Sequence, residues 1–148
     1  MKCPACGQQM ECREETVPYT DAGLENIYVE GAQVCRCACG ESMVGFKALP
    51  ELHRRIGERL LTKAALLTGP EIRFLRKNMR LKGLELASLL GVEPATVYRW
   101  EAGDQTISRA YDRLLRLVYA AEMGLAARPV VEAFPGIAPR QTPEDMRL

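Results

Sequence analysis

Histidine and aromatic side chains are scarce in this sequence, with one His, one Trp and three Phe among 148 residues. The single histidine, His53, sits in a helical pattern far from the cysteines and reads as a surface or interhelix residue. No histidine is therefore placed to carry protons beside a catalytic metal. No constellation of Ser, His and carboxylate surrounds the thiols either, so the pattern argues against an enzyme. No run of about 18 apolar residues occurs, which leaves no candidate membrane span. Met1-Lys-Cys-Pro4 lacks the apolar core of a secretion signal, and a cytoplasmic protein is expected. A strong net charge is missing as well: the formal balance is +1. That small number hides an asymmetry. Residues 1–46 carry three basic groups against seven acidic ones, whereas residues 63–120 carry ten against six. The second half is the part suited to nucleic acid, and the acidic first half suits a basic protein partner.

Cysteine, by contrast, is plentiful. Six cysteines without a secretion signal argue against a disulfide framework, and five of them fall in two tight clusters, which favours a metal site. Cys3-Pro-Ala-Cys6-Gly7 has the form of a zinc knuckle: two intervening residues let both thiolates reach one ion, and the glycine permits the tight turn. The second cluster, Cys35-Arg-Cys-Ala-Cys39-Gly40, is irregular, because Arg36 stands where a regular knuckle would place a cysteine. The fourth ligand is then Cys37 or Cys35, beside Cys39. A tetrahedral four-sulfur site of this kind is structural. Cys12 is isolated and reads as a core or spare thiol. Between the clusters, Ile27–Val34 favours a strand, with Thr16–Thr20 as its expected partner. A domain this small has little core of its own, and a zinc ion worth roughly 10–16 kcal/mol in small metal peptides is what would fold it.

From Pro50 the period changes. Leu52, Ile56 and Leu60 recur every fourth residue, the stripe of a linking helix whose other face carries Arg54, Arg55 and Arg59. Thr68-Gly-Pro-Glu71 is a helix start, and Ile72, Leu75 and Met79 form the inner face of the helix that follows. Two short helices around a tight turn come next. Leu84, Leu86, Ala87 and Leu90 make the apolar stripe of the first, Gly91 ends it and Val92 fills the turn. Pro94 opens the second, Val97 and Trp100 face inward, and Gly103 closes it. That leaves Thr96, Tyr98 and Arg99 outside, the geometry of a major-groove reader. Lys77, Arg80 and Lys82 are placed to position such a reader on phosphates. Residues 107–123 hold more apolar surface than one small core needs, which suggests a dimer interface. After Arg128, prolines interrupt any helix, and an extended or mobile tail is expected.

The stretch from Leu75-Arg-Lys77 through Leu86-Ala87, Leu90-Gly-Val92, Thr96-Val97 and Arg99-Trp-Glu101 to Gly103 and Leu114-Leu115 closely resembles the helix–turn–helix family of Cro and C1-type phage repressors, the XRE family. The family often has Ser or Thr, then Gln, where Lys82 and Gly83 stand here. Combined with the N-terminal Met1-Lys-Cys-Pro-Ala-Cys-Gly7, Gly31 and Cys39-Gly-Glu41, the chain resembles the MqsA (YgiT) family of antitoxin-type regulators up to about residue 120. The resemblance implies one structural zinc ion per chain. The family spacing from Gly31 points to Cys37, giving Cys3, Cys6, Cys37 and Cys39 as ligands. It also implies base contacts from Ala95 and Arg99, a homodimer on a palindromic operator in double-stranded DNA, and a ribonuclease toxin bound by the N-terminal domain. The expected architecture is α+β: a zinc-bound β domain at 1–46, a linking helix at 47–67, an all-α helix–turn–helix bundle at 68–124 and a tail at 125–148. The expected function is an antitoxin of a type II toxin-antitoxin system that represses its own operon. The alternative is a stand-alone XRE-type transcription factor with a structural zinc ribbon and no toxin.

Overall fold

The computed structural model describes residues 1–148. It has an N-terminal β region followed by a helical part, the mixed α+β class expected. Strand β1 (Glu11–Pro18) pairs antiparallel with β2 (Ile27–Arg36), and β2 pairs antiparallel with β3 (Ser42–Gly45). The first strand is longer than the partner expected at 16–20. The sheet is not regular: Glu15 pairs with Ala32 but Val17 pairs with Val29, so β2 holds an extra residue there. Gly31, at φ 70°, sits in this bulge. Before it Ile27 faces the core; after it Ala32 and Val34 do. The bulge therefore shifts the buried positions of this face from odd to even residues, while Cys35 is buried in a separate small core with Cys3, Met10 and Cys37.

The helices follow from their caps and stripes. Helix α1 (Leu49–Leu61) buries Leu52, Ile56 and Leu60, as its four-residue spacing implies. Helix α2 (Gly69–Asn78) begins with a reciprocal cap: Thr68 Oγ1 accepts the Glu71 N–H, and Glu71 Oε1 accepts the Thr68 N–H at 2.9 Å. Helices α3 (Gly83–Leu90) and α4 (Pro94–Ala102) end at Gly91 and Gly103, both with positive φ. Glu85 accepts the Lys82 N–H at 3.0 Å, so α3 keeps half of a capping box although Lys82 has no acceptor to offer. Helix α5 (Arg109–Glu122) crosses α1 at Gly57, where an added Cβ would lie 2.0 Å from the Tyr119 hydroxyl. Leu84 departs from its expected place in the apolar stripe. It is 67% exposed, and only Leu86, Ala87 and Leu90 are buried along α3.

Short strand β4 (Ala65–Leu66) lies between α1 and α2. Around it sit the four buried charged residues, Lys63, Glu71, Asp112 and Arg116. Arg116 donates to the carbonyls of Lys63 at 2.8 Å and Ala65 at 2.7 Å, and its Nε lies 2.8 Å from Asp112 Oδ1. Asp112 Oδ2 accepts the Leu67 N–H at 2.7 Å. Burial lowers the Arg116 pKa, and the Asp112 carboxylate opposes that shift.

Residues 125–148, expected as an extended or mobile tail, fold back instead. They form α6 (Arg128–Ala133), a 3₁₀ turn at Phe134–Gly136, β5 (Ala138–Gln141) and β6 (Met146–Arg147). The prolines open α6 and that turn and lie in or beside the edge strand β5, where a missing N–H is tolerated. Helix α6 packs on α5, and Phe134 lies under the Arg113 guanidinium. Part of the α5 apolar surface that suggested a dimer interface is thus covered within the chain. Strand β5 pairs parallel with β4, and β6 pairs parallel with the start of β2. One continuous core results, from Tyr19, Leu24 and Ile27 of the β region through the helices to Met146 and Leu148.

Removing one member of the buried pair strands the other. Asp112→Ala is expected to lower the unfolding free energy by about 3–5 kcal/mol, measured by urea denaturation. A loss below about 1 kcal/mol would mean that Arg116 reaches solvent when its partner is gone.

Candidate functional site

Two hairpin turns bring four sulfurs together. In the first, Cys3 donates its N–H to Gln8 O at 2.8 Å and accepts from Gly7 N–H at 2.9 Å. In the second, Cys37 donates to Glu41 O at 2.8 Å and accepts from Gly40 N–H at 3.0 Å. The first turn closes four residues after its leading cysteine and the second closes three after. The missing residue of the second knuckle is absorbed by this tighter turn. Cys3, Cys6, Cys37 and Cys39 then place their sulfurs within 4.8 Å of one another. The Cys3–Cys39 separation is 3.7 Å and the Cys6–Cys37 separation 3.5 Å. A tetrahedral ion with metal–sulfur bonds of about 2.3 Å spaces its ligands about 3.8 Å apart, so the four thiols fit a metal ion and are compatible with zinc.

The thiols titrate unevenly. Burial raises the Cys3 thiol, but the Cys6 and Ala5 N–H groups and the neighbouring thiols outweigh it and bring it down to about 7. The Gln8 N–H lowers Cys6, but its crowding by Cys37, Cys39 and Cys3 pushes it up to about 12. Four adjacent sulfurs cannot all ionise unaided; a bound cation supplies the compensating charge and expels the protons.

The remaining two cysteines overturn an expectation. Cys12, expected as a core or spare thiol, is disulfide-bonded to Cys35. The two are direct partners across β1 and β2, with Cα atoms 4.0 Å apart. The bond takes Cys35 out of competition for the metal. Cys35 is buried with Cys3, Met10 and Cys37 in a small second core under the knuckles. The spacing of the cysteines carries no information on which residues the hairpin register opposes. Beside this pair, Arg36 holds Glu15 through both guanidinium nitrogens, which lowers the Glu15 carboxyl.

The second group of expected residues lies on the helices. Val97 and Trp100 are buried and fix α4 on its inner side, while Ala95, Tyr98 and Arg99 are exposed and Thr96 is half-buried. Tyr98 is 70% exposed, an unusual placement for an aromatic ring with no partner in the chain. Arg80 and Lys82 are exposed in the turn between α2 and α3. Lys77 is exposed too, but it lines an open cleft of about 530 Å³ between the β region and α2, with Asp21, His53, Arg73 and Glu101. His53 is an interhelix residue here: its Nε2 lies 2.6 Å from the Tyr19 hydroxyl, and its ring packs edge-on against Phe74.

Arg76 is clamped. It donates to Glu101 at 2.8 and 3.0 Å and to the Leu81 carbonyl at 3.0 Å, tying α2, the turn after it and the end of α4 together. This bidentate pair sets the angle at which α4 is presented. Its only trace in the sequence is the charge complementarity of two residues 25 apart.

The chain thus joins a β region carrying four clustered thiols to a helical part with an outward-facing short helix. A family model described as the antitoxin component of bacterial toxin-antitoxin systems, MqsA, matches residues 1–122. With most of its length matched, the chain belongs to the MqsA antitoxin family, and that membership supports an antitoxin role. No curated protein and no solved structure matched the chain. No helix is long and apolar enough to cross a membrane.

Unfolded in the presence of a chelator but without reductant, the chain is expected to show four free thiols, rising to six after reduction, by thiol titration. Six before reduction would rule out the Cys12–Cys35 bond. Chelation of the folded protein should release the amide protection of Gly7 and Gly40 while the β1–β2 pairing at Cys12 and Cys35 persists, read by hydrogen exchange.

Proposed function

We propose that the protein is a cytoplasmic, non-catalytic antitoxin that also represses its own operon, binding a palindromic operator as a homodimer through a helix–turn–helix and a ribonuclease toxin through its acidic N-terminal region. The observation that carries this reading is the family match over residues 1–122. The surface of α4 supports the DNA arm. Ala95 and Arg99 are four residues apart and both exposed, so they share one helical face, with Tyr98 beside them. Arg99 has the donor fork for the two acceptors of guanine, and Ala95 offers apolar contact to a thymine methyl. Lys82 and Arg80, at the turn before α3, would hold phosphates, and Lys77 lies farther round on α2. Thr96, half-buried, would sit at the margin of the groove. Zinc is the ion we assign to Cys3, Cys6, Cys37 and Cys39, one per chain, in a closed four-sulfur set with no position left for substrate. Its role is to hold the two knuckle turns, and we take 1–46, 47–67, 68–124 and 125–148 as the functional segments.

Selection of binding sites from random duplex DNA tests the DNA arm. The wild-type chain should recover a near-palindrome, and Arg99→Ala should lose discrimination at one base pair of each half-site, by about 1–3 kcal/mol. An unchanged preference would remove Arg99 from the reading set. For the toxin arm, affinity capture of the tagged chain from its own host should recover a small basic protein in near-equal amount. Recovery of the chain alone would favour a stand-alone transcription factor.

A further inference from the structure

The segment after Glu122 lies beyond the residues matched by the family model, yet it touches both halves of the molecule. It does so in order along the chain. Val130 and Ile137 enter the core from the helical side. The Ala138 N–H donates to Ala64 O at 2.9 Å, and the Gln141 side chain donates to Leu67 O at 3.0 Å. Without β5, the two residues of β4 would have no strand partner at all. Thr142 O accepts from Lys63 Nζ at 2.5 Å, and the Glu144 N–H donates to Glu71 Oε2 at 3.2 Å. Lys63 and Glu71 also bond directly to each other, so the segment completes and covers a buried ion pair of the helical part. Glu144 then meets Arg59 of α1.

Two residues on, the same backbone is a strand of the β region. Met146 donates its N–H to Asn26 O at 3.0 Å, Leu148 donates to Tyr28 O at 2.9 Å, and Leu148 O accepts the Glu30 N–H at 2.7 Å. The Met146 and Leu148 side chains are buried, and Arg147 between them points out, paired loosely with Glu30 at 3.7 Å. This is a two-anchor strand on the first residues of β2, ahead of the stretch that β3 occupies. The other links from β1, β2 and the loop between them into the helical part are the Tyr19–His53 hydrogen bond and the packing of Tyr19, Ala22, Leu24, Ile27 and Val29.

We propose that residues 125–148 are a latch: anchored on the helical part by β5 and the Lys63–Glu71 pair, it docks Met146–Leu148 on the β2 edge and so makes the metal region and the helical region turn as one body. A protein that binds the N-terminal sheet would then act on the helices through the latch, and the same coupling would run in reverse. The occupant of the β2 edge is this chain's own segment, selected by alternate apolar side chains and by main-chain hydrogen bonds.

The test needs neither DNA nor toxin, so it stands or falls apart from the function proposed above. The metal-loaded double variant Met146→Asp, Leu148→Asp is compared with the full chain and with Arg147→Ala, which removes only the outward side chain. The Glu30 amide reports the latch directly, since its partner is Leu148 O. In the double variant, its hydrogen exchange is expected to accelerate by at least an order of magnitude. Nitrogen-15 relaxation should give separate correlation times for residues 1–46 and 68–124, with helix content by circular dichroism unchanged. Arg147→Ala should behave as wild type. A Glu30 amide that stays protected, or a single correlation time in the double variant, would overturn the proposal. So would unfolding of the whole double variant, because it would make the segment an indivisible part of the core.

Discussion

The constraint on which the rest of this structure depends is the burial of a guanidinium. Arg116 lies wholly inside the protein, and a charge there is tolerated only when it is paired and hydrogen-bonded. Asp112, one helical turn earlier, supplies the countercharge, and the carbonyls of Lys63 and Ala65 supply acceptors. These demands dictate the path of residues 61–67, which must run past α5 with their carbonyls aimed inward. Once that path is set, the end of α1, the start of α2 and the short strand that receives β5 are all placed. The neighbouring Lys63–Glu71 pair extends the same logic outward to the C-terminal segment. A connection that looks like an ordinary linker is held by side chains of α5.

What could be read from the sequence was what is local. Caps, stripes and knuckles are short-range patterns, and Thr68 with Glu71, Pro94, Gly91, and Leu52 with Ile56 and Leu60 all lie where their spacing implied. The four sulfurs were legible for the same reason, since each knuckle is one tight turn. What escaped depends on contacts far apart in the chain. Arg116 and Arg76 look like surface charges until their partners are known. Cys12 became half of a disulfide only because the bulged register of β1 on β2 sets it opposite Cys35. Leu84 fits the apolar stripe by spacing but lies at the edge of a helix whose inner face is already filled. The prolines after Arg128 were weighed as helix breakers, although most of them sit at helix starts or on an edge strand, where proline costs nothing.

The two candidate sites use opposite strategies. At the metal centre, side chains converge, Cys3 and Cys37 from the buried side and Cys6 and Cys39 from the exposed side: a small sulfur-rich core, with the ion those thiols are placed to bind, would replace the hydrophobic mass that so short a β region lacks. On α4, side chains diverge. Val97, Trp100 and the Arg76–Glu101 clamp take all the fixing on the inner side, which frees Ala95, Tyr98 and Arg99 from any structural duty.

The parallel pairing of residue 146 with residue 27 also bears on how the molecule forms. Nearly the whole chain lies between those partners, and closing so long a loop is costly before any contact repays it. The helices can assemble early from neighbours in sequence. The apolar flank around Ile27 must wait for residues 146–148 to arrive, so on a ribosome it stays uncovered until they have been made. During that interval the β2 edge is an open template, and a partner present at synthesis meets a different surface from the one the finished protein displays.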